Sequence, residues 1–141
     1  MVKILNVALE NHPGSLAEIL DILARAEINV DALEAEAQGD FGTVRLFTAK
    51  PDLAAQLLRQ DGYDVVESDV LEIILPNRYG ELVRLARRLA EGHVNVVSLF
   101  GTSPPGGGDG RFLLRVNNAD AARKVLGLAS TAPDNLKPAR P

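Results

Sequence analysis

The sequence predicts an α+β protein built as two tandem copies of one β-α-β-β-α-β module. Three observations carry that prediction. The chain repeats itself at an offset of 66 residues, so that Gly14 falls on Gly80, Leu16 on Leu82, Leu23 on Leu89 and Leu33 on Leu99. Strand-like apolar segments alternate with segments of helical period, and the order is the same in both halves. The spacing is too long for a solenoid unit and suits a small domain.

The first copy begins with a strand, Val2 to Leu9, rich in β-branched and apolar residues. Asn11-His12-Pro13-Gly14 breaks it. From Ser15 the period becomes helical: Leu16, Ile19, Leu20, Leu23 and Ala24 form one apolar stripe, with Glu18, Asp21 and Arg25 opposite. A second strand is expected from Ile28 to Glu36, a turn at Gln38-Gly39-Asp40, and a third strand from Thr43 to Ala49. Pro51 opens a second helix through Leu58, Asp61-Gly62 ends it, and Tyr63 to Glu67 is a short fourth strand.

The second copy repeats the order with Val70 to Leu75, a helix over Glu81 to Glu91, strands at Val94 to Thr102 and Arg111 to Val116, and a helix over Ala119 to Leu128. Its hairpin loop, 103–110, is longer and glycine-rich. No clear last strand follows. The expected domains are residues 1–68 and 69–130, with 131–141 a flexible, proline-bearing tail. The outward charges of the first helix, Glu18, Asp21 and Arg25, meet opposite signs at the matching Arg84, Arg87 and Glu91. Two readings fit: helices facing each other across a pseudo-twofold axis, or chance on two solvated faces.

Bulk properties narrow the function. The chain has 141 residues, 46% apolar and 24% charged, an ordinary globular composition. A module of roughly 65–70 residues buries only about 60% of its unfolded surface, so the copies are expected to pack on each other and to dimerise. A net charge of −4 and 4% aromatics without Trp speak against nucleic acid. There is no cysteine, and His12 and His93 have no companion ligands at metal-binding spacing, so no metal or cofactor is expected. No apolar run approaches the roughly 20 residues of a membrane span, and the strand-like start has no signal-peptide pattern, so the expectation is a soluble cytoplasmic protein.

Two features could carry chemistry. In Asn11-His12-Pro13-Gly14-Ser15-Leu16, glycine permits close approach to a helix N-terminus, whose free N–H groups suit a carboxylate or phosphate. A tight turn with a helix cap satisfies the same residues. Asn29 and Asn95, each flanked by branched apolar residues, could hold a polar ligand group at a strand mouth, or serve as turn residues tolerating left-handed geometry. No nucleophile-base pair is visible, so no enzyme is expected.

The element order, the Asn-x-Pro-Gly-x-Leu turn and the pairs Ile28-Asn29-Val30 and Val94-Asn95-Val96 together resemble the ACT domain family, over about residues 2–128. The resemblance implies two tandem ferredoxin-like modules, each an antiparallel sheet with its helices on one face. It implies a non-enzymatic regulatory protein binding a small amino acid at the interface between modules. Asn11, Pro13, Gly14, Ser15 and Leu16 would face Asn95 and Val96, and Asn77, Tyr79, Gly80, Glu81 and Leu82 would face Asn29 and Val30. Backbone N–H groups at Gly14-Ser15-Leu16 would hold the α-carboxylate. Tyr79 stands where the pattern has Pro, and Leu9 where some serine-binding relatives have histidine. The alternative function is an assembly subunit that docks an amino-acid biosynthetic enzyme without its own ligand; the acetolactate synthase regulatory subunit is its nearest analogue in the family.

Overall fold

The computed structural model describes residues 1–128; the expected tail, 131–141, lies outside the described residues. The element order is β1 (Val2–Glu10), α1 (Ser15–Arg25), β2 (Ala32–Gln38), β3 (Phe41–Phe47), α2 (Pro51–Gln60), β4 (Val65–Leu75), α3 (Glu81–Glu91), β5 (Val96–Thr102), β6 (Gly110–Val116) and α4 (Ala119–Leu126). The chain divides into two units, Val2–Asp69 and Val70 onward, and β4 carries residues of both.

In the first unit the strand order is β2-β3-β1-β4. β1 and β2 both run antiparallel to β3, with Val7 and Ala35 each opposite Val44. Alternation along β1 and β3 sends Leu5, Val7, Val44 and Leu46 to one face. There they meet Ile19 and Leu23 of α1 and Ala54, Ala55 and Leu58 of α2. Both helices therefore cover the same face, and each buried Leu or Ile contributes about 1.5–3 kcal/mol.

The second unit arranges its strands β4-β6-β5, again antiparallel, with Leu71 opposite Leu114 and Ile73 opposite Phe112. Its core is the first core displaced by 66: Leu71 for Leu5, Ile73 for Val7, Leu85 for Ile19, Leu89 for Leu23 and Val94 for Ile28. Among the described residues it has three strands and two helices; the segment in which no last strand was expected lies outside them. The architecture is α+β in two ferredoxin-like modules.

The structure corrects several local expectations. The short strand at Tyr63–Glu67 and the strand at Val70–Leu75 are one strand, β4, because neither Ser68 nor Asp69 forces a turn as Gly or Pro would. The third strand is Phe41–Phe47, starting directly after the two-residue hairpin loop Gly39-Asp40. β2 starts at Ala32, not Ile28, and β5 at Val96, not Val94. In both units the preceding residues close the helix instead. Glu27 (φ 55) and His93 (φ 54) turn left-handed. Ile28 N–H then donates to the Leu23 carbonyl at 2.9 Å, and Val94 N–H to Leu89 at 2.9 Å. This is a Schellman closure, with Ile28 and Val94 as its buried apolar residues. The left-handed turn residue is thus Glu27 or His93, and neither Asn29 nor Asn95 takes a positive φ.

Four of the six reversed helix charges have local partners. Asp21 pairs with Arg25 one turn on, Glu18 accepts from the Tyr63 hydroxyl at 3.1 Å, and Arg84 pairs with Glu81 at 3.0 Å.

Candidate functional site

Each unit places a cavity at its first strand-to-helix turn. In the first, Gly14 takes φ 93, a left-handed angle that a side chain would strain, and caps α1. Ser15 N–H donates to the His12 carbonyl at 3.2 Å and Glu18 N–H to Gly14 at 3.0 Å. The N–H groups of Leu16 and Ala17 are left without helical acceptors and carry the positive end of the helix dipole. Ser15 is 5% exposed, and its buried Oγ has no hydrogen-bond partner. It lines a cavity of about 200 Å³ with Asn11, His12 and Leu16 from the turn and Glu36 and Thr43 from the β2–β3 hairpin.

Asn11 ties this turn to that hairpin. Its N–H donates to the Asp40 carbonyl and its Nδ2 to the Gly39 carbonyl, both at 2.8 Å. One of the two Nδ2 hydrogens is used in this way, so the other and Oδ1 remain for a ligand.

The second turn repeats this frame with different contents. Gly80 takes φ 85 and caps α3, and Asn77 Nδ2 donates to the Pro104 carbonyl of the β5–β6 hairpin at 3.1 Å. A cavity of about 170 Å³ is lined by Asn77, Arg78, Gly80, Glu81 and Leu82, with Ser103 and Phe112 opposite. Where Ser15 stands in the first turn, Glu81 stands here. Its carboxylate side chain is 12% exposed, and Oε1 accepts from Arg78 at 2.9 Å and Arg84 at 3.0 Å.

Of the residues expected from sequence, Asn11, Ser15 and Leu16 share the first cavity, and Asn77, Gly80, Glu81 and Leu82 share the second. Pro13 and Gly14 shape the first turn without lining its cavity, and Tyr79 is fully exposed outside the second. Asn29 donates to Asp31 Oδ1 at 2.8 Å, and Val30 packs against the first core. Asn95 exchanges its backbone groups with Asn117, accepting from that N–H at 3.1 Å and donating to its Oδ1 at 2.9 Å; Val96 pairs with Val116. None of these four lines either turn cavity.

Sequence reasoning missed the hairpin walls, Glu36 and Thr43, and Ser103 and Phe112. The turn at Gly39-Asp40 held the signal for the first pair, since a two-residue loop there puts Glu36 opposite Thr43. A larger, open depression of about 290 Å³ on the same hairpin has Arg45 in its wall, paired with Glu34 at 2.8 Å. The groups with displaced pKa values lie off both cavities. Burial, then Glu18, raises Tyr63; Asp52 and Glu67 raise Lys3; Arg59, then Lys3, lowers Glu67. Among the described residues no three His, Cys, Asp or Glu cluster as a metal site requires, and no helix is long and apolar enough to cross a membrane.

Several solved structures are similar to this chain. Protein BT0572 from Bacteroides thetaiotaomicron is 29% identical, with a TM-score of 0.85 over 89% of this chain and 86% of that one. The ligand-free regulatory subunit of aspartate kinase from Thermus thermophilus is 14% identical, with a TM-score of 0.64 over 89% and 90%. Its counterpart from Thermus flavus is also 14% identical, with a TM-score of 0.58 over 90% and 92%. The last two likenesses are of fold. No curated protein matches the chain. The sequence model of the ACT domain pair matches residues 1–132, nearly the whole length. Duplicated cores, paired glycine-capped turns and that match agree: the chain belongs to the ACT domain pair family.

Proposed function

We propose that this chain is a non-enzymatic regulatory protein of the cytoplasm that binds a small amino acid where its first strand-to-helix turn meets a neighbouring ACT module. Ser15 carries the reading. A buried hydroxyl without a partner is a cost that folding alone does not explain, and it borders a cavity at a helix N-terminus. An α-carboxylate there would accept from the N–H groups of Leu16 and Ala17 and from Ser15 Oγ. The ammonium group would find Asn11 Oδ1 and the carboxylates of Glu10 and Glu36 in the same walls. A volume of about 200 Å³ is below that of drug-sized sites and admits a small metabolite. The ligand regulates by favouring one assembly state, such as a homodimer or an enzyme-bound form, over another.

The test is a thermal-shift screen against the twenty amino acids at millimolar concentration, followed by calorimetry. A ligand at 100 times its Kd stabilises the fold by about 2.7 kcal/mol. Gly14→Asp should abolish the shift, while Gly14→Asn, which tolerates the left-handed angle without adding charge, should retain most of it. Absence of any shift would favour a second reading, an assembly subunit docking a biosynthetic enzyme. One observation supports that reading. β5 is an edge strand in its unit's sheet, and its Val97 and Leu99 are 49% and 41% exposed, a surface suited to a partner.

A further inference from the structure

We infer that Glu81 occupies the second turn as a built-in substitute for a ligand carboxylate, so that the chain takes one carboxylate ligand, at the first turn. The inference rests on the proposed function for its first half and on the geometry of α3 for its second. The two turns share a left-handed glycine cap, a free N-terminal turn of an eleven-residue helix and an asparagine tied to the facing hairpin. They differ in the first helical residue. In the first turn it is Ser15, buried, neutral and unpartnered on the cavity wall. In the second it is Glu81, an anion at a helix end that favours anions.

Glu81 is not a solvated surface acid. Its side chain is 12% exposed, and Arg78 and Arg84 hold Oε1 from two sides at 2.9 and 3.0 Å. Arg78 lines the same cavity. An external carboxylate entering this turn would meet the Glu81 carboxylate already in place and would have to compete with it for Arg78 and Arg84. Like charges set against each other across an interface cost several kcal/mol, equivalent to an affinity loss of about a hundredfold or more.

The experiment uses the full-length, ¹⁵N-labelled chain and follows the backbone amides of Leu16, Ala17, Leu82 and Val83. Two probes are titrated, sodium acetate against matched sodium chloride, and the twenty amino acids. In the wild type, acetate should leave Leu82 and Val83 in place, and an amino-acid hit should move Leu16 and Ala17 alone. In Glu81→Ser, acetate should move Leu82 and Val83 saturably. In Ser15→Glu, the first turn should lose the amino acid by about a hundredfold or more. Acetate shifts at Leu82 and Val83 as large in the wild type as in Glu81→Ser would overturn the inference. So would an amino acid at both wild-type turns, or no gain in Glu81→Ser. If no amino acid moves Leu16 and Ala17, the proposed function fails, and the acetate comparison still decides the role of Glu81.

Discussion

The two units agree in their cores and disagree at their first turns. Leu5, Val7, Ile19, Leu23 and Ile28 have counterparts of the same kind 66 residues on, and both helices are capped by a left-handed glycine. Yet one turn ends in an unsatisfied hydroxyl and the other in a carboxylate held by two arginines. Packing constrains a core from all sides, so duplicated cores stay alike. A turn facing a cavity has room to change its chemistry. The contrast teaches that repetition of fold and repetition of function are separable within one chain.

The largest effects should test the likeness. Leu23→Ala and Leu89→Ala remove equivalent side chains that are 0% and 1% exposed. Each should cost about 3 kcal/mol in urea denaturation, and a loss at one site well under 1 kcal/mol would break the equivalence of the cores. Gly14→Ala and Gly80→Ala come next. An ideal Cβ meets nothing within 4 Å at either position, so the strain is purely of backbone, about 1–2 kcal/mol at each site. Unequal losses would show that one turn depends on its cap more than the other.

The third comparison should show opposite signs. Ser15→Ala removes an unpaired buried hydroxyl and should leave stability unchanged or raise it by up to about 1 kcal/mol. Glu81→Gln leaves Arg78 and Arg84 without their anion and should lower stability by about 0.5–1 kcal/mol, less at high salt. Thermal melts of both variants at low and high ionic strength would check this.

The smallest effect is acid sensitivity confined to the first unit. Arg59, then Lys3, holds the Glu67 carboxyl below its ordinary value of 4.5. A folded-state pKa below the unfolded one stabilises above the unfolded value, and this contribution disappears as pH falls through the folded value. Glu67→Gln should therefore flatten the decline in melting temperature below about pH 4.5. Hydrogen exchange should localise the change to Val2–Asp69, since the positions 66 residues after Lys3 and Glu67 are Asp69 and Pro133.

Much of the fold was legible because it depends on period. The apolar stripe from Leu16 to Ala24 and its echo at Leu82 to Ala90 gave both first helices, and the offset of 66 gave the duplication. The helix closures were not legible, since Glu27 carries none of the left-handed preference of Gly or Asn and the preference of His93 is too weak to mark a turn alone. Asn29 and Asn95 attracted attention two residues too late. The continuity of β4 was hidden because Ser68 and Asp69 dilute its apolar pattern without breaking its backbone. At the turns, the glycines were readable. The burial of Ser15 and Glu81 was not, because it depends on the hairpins that wall the cavities.

The left-handed residues after α1 and α3 have a consequence for ancestry. Glutamate and histidine share neither charge nor shape, yet Glu27 and His93 take nearly the same positive φ, 55 and 54. Each is followed by a branched apolar residue that seals its helix. What the two copies share at the bend is a positive φ and its seal, while the residue there differs. At that bend the kinship of these two modules is written in a torsion and not in the letters.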